Sequence, residues 1–436
     1  MTDTNILHDV DALLRQLFPI CRSITGNGVR QSLDILRATA PFDVVEVPSG
    51  TPSFDWTVPD EWNVRDAYVA DSHGRRLIDF QQNNLHLVSY SEPYEGTLTF
   101  DELHPRLYTL PDLPDAIPYR TSYYNRTWGF CLSQNQFDAL DRNELYTVKV
   151  DTTLAPGSLT YGETFLPGKS GREFLITTYC CHPSLANDNL SGMVLLTLLL
   201  RELQARDLWH SYRFLIIPET IGALTWLAQN EEAARRVSGA YVITTVAGPG
   251  AIGFKRSFAG DHLIDRITRL TFAEAGLSVT EYPFDANGSD ERQFSSPGFR
   301  IACNTICKDK YYEYPYYHTS LDNLDFAKAD ALVETLKLYF QAIDNLEFNR
   351  TYRSFNPKGE PMLGKRGLYP QLGGAIRQSA AGAAYGNELD AIRWLMFYSD
   401  GQTPLLDIAE KTGFPLRQLH EVAQKLVAGG LLELVG

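Results

Sequence analysis

The apolar positions change their period along the chain. Ile6, Val10, Leu13, Leu14 and Leu17, then Leu33 and Leu36, recur at helical spacing, broken by the turn-rich Ser23-Ile24-Thr25-Gly26-Asn27-Gly28. From Asp43 to about Thr152 the texture becomes short apolar runs, at 43–47, 85–88 and 145–150, separated by Pro, Gly, Asn and Asp. That spacing predicts a β-rich module. Residues 157–348 alternate strands (173–178, 212–217, 240–246, 299–304) with helices (191–205, 224–237, 261–275, 328–345), the pattern of an α/β sheet flanked by helices. Residues 355–384, rich in Gly, Pro and Ser, read as a surface linker. Residues 387–436 hold three short amphipathic helices closing on Gly429-Gly430-Leu431-Leu432-Glu433-Leu434, the outline of a winged helix-turn-helix. The expected division is a discontinuous α/β domain from 1–42 and 153–350, an inserted β-rich module at 43–152, a linker at 351–384 and a winged helix at 385–436.

Composition narrows the function classes. The chain has 436 residues, 44% hydrophobic and 21% charged, enough for a sizeable core in more than one domain. Its 39 Lys and Arg against 53 Asp and Glu leave a formal charge of −14, which repels phosphate backbones and anionic lipid. The amino-terminal stretch lacks the basic start of a signal peptide, and the longest apolar run, 193–200, is far short of the ~20 residues that span a bilayer. Six thinly spread cysteines do not form a disulfide framework. A cytoplasmic protein with reduced thiols is expected, without a nucleic-acid or membrane partner, and with homo-oligomerisation open.

Four strand-end junctions carry polar residues where α/β domains place their chemistry. After 173–178 comes Cys180-Cys181-His182-Pro183-Ser184-Leu185-Ala186-Asn187-Asp188-Asn189, which offers an imidazole and a carboxylate, the ligand types of zinc. The competing reading is a capping Asp188 and a packed His182. Glu219 follows the apolar Leu215-Ile216-Ile217, where burial raises a carboxylate toward the range of a general base; the plainer alternative is a cap. Ser289-Asp290-Glu291 lies in a polar loop that a solvated turn equally explains. His318 precedes Thr319-x-x-Asp322, which reads as a capping box opening the last helix.

In this order, His182, Asp188-Asn189-x-Ser191-Gly192, Glu219, Ser289-Asp290 and His318-Thr319 resemble the co-catalytic zinc aminopeptidases, a clan that includes glutaminyl cyclases and carboxypeptidases. The resemblance covers roughly 155–345. With the inserted module, the Cys-Cys-His-Pro-Ser-Leu-Ala-Asn-Asp-Asn segment and the terminal winged helix, nearly the whole chain is similar to the bacterial aminopeptidase-like family found in polysaccharide biosynthesis loci. The resemblance implies a zinc-aminopeptidase-like mixed sheet flanked by helices. It also implies zinc ligands at His182, Asp188, Asp290 and His318, with Glu219 deprotonating water. Two positions depart from the clan. Thr220 stands where a second, ligating acid usually follows the catalytic glutamate, and Ser184 where an aspartate orients the first histidine. One firmly held zinc is therefore expected, the second site being weakened.

Gly248-Pro249-Gly250-Ala251-Ile252-Gly253 satisfies a dinucleotide-loop spacing, but Pro249 sits inside the turn and no helix follows, so no such cofactor is expected. Lys255 and Arg256 read as a solvated basic pair, or as contacts to an anionic substrate group. Cys180/Cys181 with Cys303/Cys307 read as buried thiols rather than a zinc quartet, because adjacent strand residues face opposite ways. Residues 387–436 carry seven acids against four bases, too little cation for a DNA reader, which makes the winged helix a packing or interaction module. The function expected is zinc-dependent hydrolysis of a peptide or small-molecule amide. The alternative is a catalytically silent aminopeptidase-like scaffold that binds a metabolite or protein, as Thr220 and Ser184 would suit.

Overall fold

The computed structural model describes residues 3–368 and 388–435. It divides into two compact units, Met1–Asp265 with Val279–Lys337, and Arg266–Ser278 with Leu338–Gly436. Among the described residues no helix is long and apolar enough to cross a membrane.

The first unit is built on an eight-stranded mixed sheet. In chain order its strands are β1 (Asp43–Pro48), β2 (Ser158–Leu166), β3 (Glu173–Tyr179), β4 (Ser211–Ile217), β5 (Val237–Val242), β6 (Gly253–Lys255), β7 (Thr280–Tyr282) and β8 (Cys303–Cys307). They lie in the order β1-β2-β4-β3-β5-β8-β6-β7, and the central strands β4, β3, β5 and β8 run parallel. A parallel strand covered on both faces has no solvent side. Accordingly every residue of β3, Glu-Phe-Leu-Ile-Thr-Thr-Tyr, is buried. The early helical pattern forms α1 (Asp3–Leu17) and α2 (Asn27–Thr39). Helix α3 (Ser191–Leu203) is apolar nearly all round and buried on all sides except at Arg201 and Glu202. Its second residue must be glycine, since a Cβ on Gly192 would lie 2.6 Å from the Ile243 carbonyl oxygen and 2.3 Å from Asn189 Oδ1. Helix α4 (Ile221–Gln229) leaves β4, and two later helices, α5 (Leu263–Glu274) and α6 (Ala329–Phe348), begin in this unit and end in the second.

Several expected boundaries move. The strands expected at 240–246 and 299–304 are Val237–Val242 and Cys303–Cys307. Thr245 and Arg300 take φ of 50° and 53°, outside the extended region, so the chain cannot stay in a ladder there. The helix expected over 224–237 is two, Ile221–Gln229 and Glu231–Arg236, separated at Asn230. The run at 43–47 belongs to the main sheet, because β1 pairs along its whole length with β2, from Asp43↔Glu163 to Pro48↔Ser158. Residues 85–88 are not a strand. Leu85 and His86 belong to a 3₁₀ turn, Asn84–His86, whose Leu85 amide donates to the Asn83 side chain.

The inserted module has its own four-stranded sheet, in the order Arg76–Asp79, Glu61–Ala70, Leu145–Ala155, Tyr94–Thr99. Its Trp62, Tyr90 and Tyr146 share one apolar cluster with Leu215, Ile217 and Trp226 of the main domain. Beyond Tyr108 the module reaches the strand ends. Ile117 and Ser320 exchange hydrogen bonds, and the Tyr119 amide donates to the His318 carbonyl at 2.8 Å.

The capping box expected at 319–322 is not built. Helix α6 begins at Ala329, and Thr319 Oγ1 donates to the Tyr316 carbonyl. The Asp322 carboxylate instead reaches residues 187 and 188, as described below.

In the second unit, helices α7 (Glu388–Tyr398), α8 (Leu405–Thr412) and α9 (Leu416–Ala428) pack with a three-stranded sheet ordered Asp400–Pro404, Thr351–Ser354, Leu432–Leu434. Its middle strand lies in the segment read as linker. Thr351–Ser354 alternates in burial, with Tyr352 only 1% exposed, and that inward tyrosine ties it to the helices. Residues 369–384 of the expected linker lie outside the described residues. Helix α9, which a DNA reader would present, is held at its start by its own unit. Glu274 accepts the Leu416 amide at 2.9 Å, and Phe348 stacks on His420 with ring centroids 5.0 Å apart. Arg266 pairs with Asp407 at 2.6 Å and with Glu410 on α8.

Candidate metal centre and catalytic site

The site lies beyond the carboxyl ends of β3 and β4, where parallel strands deliver side chains to a crevice. After Tyr179 the chain leaves the sheet through 180–190 and enters α3. His182 is 5% exposed and Asp188 fully buried. The N-terminal segment clamps this loop. The buried Arg22 donates from Nε to the His182 carbonyl at 3.1 Å and from Nη1 to the Leu17 carbonyl at 2.7 Å. Ser184 Oγ donates to the Phe18 carbonyl at 2.8 Å. Ser184 therefore does not orient the His182 ring, whose Nδ1 lies 3.5 Å from Cys181 Sγ, leaving Nε2 for the site.

Asp188 is gripped on both its backbone and its side chain. Tyr179 donates its hydroxyl to Asp188 Oδ1. Asp322, also fully buried, accepts the Asn187 and Asp188 amides at 2.7 and 3.0 Å and the Tyr314 hydroxyl at 2.9 Å. His318 Nε2 approaches Asp188 Oδ2 to 3.0 Å without hydrogen-bond geometry. Ligand atoms of His182, Asp188 and His318 lie within 4.8 Å of one another, as do those of Cys181, His182 and Glu219. Glu219 Oε2 is 3.8 Å from His182 Nε2, and Ser289 Oγ donates to Glu219 Oε1 at 2.7 Å. Asp290 falls in neither compact group. It stands beside Thr220, whose amide donates to Asp290 Oδ1 at 2.7 Å. Arg292 approaches the Thr220 hydroxyl at 3.4 Å, which puts a cation next to the position where the clan carries a second acid.

The electrostatics separate the two kinds of carboxylate. Burial works against ionisation of Asp188, but the facing imidazoles of His182 and His318 and the Tyr179 hydroxyl outweigh it and hold its pKa below the ordinary value. Glu219 is pushed up to about 7, first by burial and then by the Asp188 charge, with the Ser289 hydroxyl pulling back. Burial lowers His182 to about 4, which keeps its ring in the neutral form that binds metals. Asp290 is driven well upward by burial and then by the Glu219 charge.

The donor set fits a zinc ion. Asp188 Oδ2, Asp290 Oδ2 and His318 Nε2 are buried and have no hydrogen-bond partner among the described residues, an expensive arrangement for two carboxylate oxygens and an imidazole nitrogen, atoms of the types that bind zinc, unless something binds them. Aromatic rings enclose them. Tyr119, from the inserted module, lies with its ring centroid 5.2 Å from that of His182 and 5.1 Å from that of His318, and its hydroxyl meets that of Tyr123 at 3.1 Å. Tyr317 stacks on His318 at 3.9 Å. Tyr124 and Trp128 lie elsewhere, against Trp56 and Tyr94.

The sequence signals that pointed to His182, Asp188, Glu219, Asp290 and His318, with Ser289 in the same motif, gave no site role to Arg22, Tyr119 or Tyr179 and read Asp322 as a helix cap. Tyr179 abuts the motif residues and was within its reach. Tyr119 carries no local signal. Lys255 is neither solvated nor turned to a ligand. It is 2% exposed and ion-paired with Glu291 at 2.6 Å, with the Tyr311 hydroxyl at 2.7 Å, which anchors the loop carrying Ser289 and Asp290. Gly250 of the dinucleotide-like turn donates its amide to Asp309. Cys180, Cys181, Cys303 and Cys307 are free, buried thiols.

Comparison with known proteins gives this geometry its setting. A Clostridium acetobutylicum protein, whose name couples polysaccharide biosynthesis with an aminopeptidase-like domain, is 47% identical over 423 residues, 97% of this chain and 95% of that protein. A crystal structure from the same organism, described as a candidate peptidase, shares 44% identity at a TM-score of 0.90 over 99% of both chains. A zinc aminopeptidase from Bacillus subtilis shares the fold at 14% identity, with a TM-score of 0.57 over 79% of this chain and 94% of that one. The profile described as winged helix-turn-helix matches residues 350–434, and the profile described as Domain of unknown function (DUF4910) matches residues 11–349. With its aminopeptidase-like α/β fold and carboxy-terminal winged helix, the chain belongs to the DUF4910 family.

Proposed function

We propose that this protein is a zinc-dependent hydrolase of a peptide or small-molecule amide bond, with zinc held by His182, Asp188, Asp290 and His318. The observation that carries the reading is the set of three unpartnered buried ligand atoms beside Glu219. Zinc bound there supplies Lewis acidity to a scissile carbonyl and to the attacking water. Glu219, with a pKa pushed up to about 7, takes the proton from that water and returns it to the leaving amine. Ser289 holds the Glu219 carboxylate in its orientation, while Tyr119 and Tyr317 limit water around it. Thr220 adds no anionic ligand and Arg292 brings a cation beside it, which favours one firm zinc. The fold of the zinc aminopeptidases supports the reaction class, and amino-terminal peptide bonds and acylated amino sugars are both substrates of the right chemistry.

A second reading, a catalytically silent scaffold, draws on His182 Nδ1, which meets a thiol where an orienting carboxylate would strengthen a metal ligand. Metal analysis together with hydrolysis of aminoacyl anilides and N-acetylated amino sugars by wild type and Glu219→Gln decides between them. Zinc with activity lost in the variant supports the hydrolase, and equal rates remove Glu219 from the mechanism. The second unit we propose to be an interaction or packing module that does not bind nucleic acid, since α9 is engaged by Glu274 and Phe348 of its own unit.

A further inference from the structure

A cavity of about 650 Å³ lies between the end of α1, the start of α2 and the inserted module. Its wall has an unusual composition. Eight of its nineteen residues are Asn or Gln, none is Asp, Glu, Lys or His, and the one cation, Arg65, is held by both carboxylate oxygens of Asp151. Seven of the nineteen are exposed, and five of those seven are carboxamides. Gln16, Gln31 and Gln82 make no side-chain hydrogen bond among the described residues, so their donors and acceptors are uncommitted. Gln82 belongs to the run Gln81-Gln82-Asn83-Asn84, which puts four amides at one edge.

The floor is rigid where the rim is free. Trp62, 3% exposed, donates its indole N–H to the Ser91 carbonyl at 2.8 Å, and its amide donates to Thr25 Oγ1 at 3.0 Å. Asn63 accepts the Asn27 amide at 2.8 Å. Asn84 Nδ2 reaches the Pro19 carbonyl, while its buried Oδ1 has no partner among the described residues.

A carboxamide places one acceptor and two donors in a plane, the complement of neighbouring hydroxyl groups that each donate and accept. A wall with no free charge offers nothing to a phosphate, a carboxylate or an ammonium group. Peptide grooves bury side chains in apolar pockets, and the exposed wall here is amide rather than apolar. The volume falls inside the range of about 300–1,000 Å³ typical of small-ligand sites. We propose that this cavity binds a neutral carbohydrate, one or two sugar rings of a glycan, through the free amides of Gln16, Gln31 and Gln82. Ser184 of the loop that carries His182 forms part of the wall, so an occupied cavity touches the catalytic loop from behind. The proposal does not depend on that loop's chemistry.

The test is calorimetric titration of the full-length protein with N-acetylglucosamine, galactose, mannose and lactose, alongside trialanine and sodium phosphate, each to about 20 mM. The expected result is a Kd of about 1 mM or tighter for at least one saccharide, weakened about tenfold in Gln31→Ala/Gln82→Ala and unchanged in Glu219→Gln. Both glutamines are exposed, so the double variant keeps its fold, checked by circular dichroism. Failure of all four sugars to bind, tighter binding of trialanine or phosphate, or saccharide binding indifferent to the two glutamines overturns the proposal. Loss of amidase activity in Glu219→Gln with sugar binding intact separates this site from the catalytic one.

Discussion

Replacing Asp322 tests whether the loop carrying the proposed zinc ligands His182 and Asp188 is held from outside. The carboxylate accepts the Asn187 and Asp188 amides and the Tyr314 hydroxyl inside a fully buried site. Asp322→Ala leaves two buried amides without an acceptor, each at about 1–3 kcal/mol, while the tyrosine hydroxyl can rotate to another partner. The gross loss is about 2–6 kcal/mol. Part of it is offset, because burial already pushes the Asp322 pKa up to about 7, so removing the carboxylate also removes a desolvation cost. A net destabilisation of about 2–4 kcal/mol follows, and Asp322→Asn, which keeps one acceptor oxygen, should lose about half of that. Urea unfolding of the full chain, with chelator present, measures it through tryptophan fluorescence, since five of the six tryptophans lie in the first unit. Zinc affinity gives a second readout, expected to fall about 10–100-fold as the Asp188 backbone shifts. If both variants unfold within about 0.5 kcal/mol of wild type and bind zinc normally, the anchoring argument is wrong.

Four further outcomes are expected. Protein never exposed to chelator should carry about one zinc per chain by elemental analysis, lost in both His182→Ala and Asp188→Ala. Glu219→Gln should keep that metal and lower any amidase rate by about 10²–10⁴, read in the same preparations. Gly192→Ala drives a Cβ onto the Ile243 carbonyl at 2.6 Å and should cost about 1–3 kcal/mol or more in thermal or urea unfolding. The Arg30 guanidinium draws the Glu61 pKa down to about 2, so this pair's contribution is present above the unfolded value of about 4.3 and is lost as pH falls toward 2. With both partners partly screened by solvent, the contribution is about 1–2 kcal/mol, and the gap between wild type and Glu61→Gln should close over that acid window.

How far the sequence reached can be followed residue by residue. The apolar run of β3, the buried α3 and the alternating strands and helices reported an α/β domain, because burial on both faces of a sheet leaves a continuous apolar imprint. His182, Asp188, Glu219, Asp290 and His318 each follow an apolar strand or lie in a turn, where a polar residue stands out against its neighbours. Each alone also read as a cap, a packed side chain or a solvated turn, and only their order, which resembles the zinc aminopeptidases, marked them as one candidate set. Glycines and a short apolar tail outlined the winged helix in the same local way. Other features depend on partners 36 or more residues apart, and no local period records them. The Asp322 carboxylate looked like a helix cap because its nearest neighbours suit one, yet its acceptors serve amides 134 and 135 positions away. Tyr119 reaches the histidines only because 117–120 pairs beside 318–320. Lys255 resembled a solvated cation until Glu291 and Tyr311 enclosed it. The amide-lined cavity draws on three separate stretches, each of which alone reads as ordinary polar surface. Chain-local sequence sets which segments must be buried. Tertiary structure alone decides which polar groups share a site, because a hydrogen bond or a metal ligand set depends on distance in space and carries no trace of sequence separation.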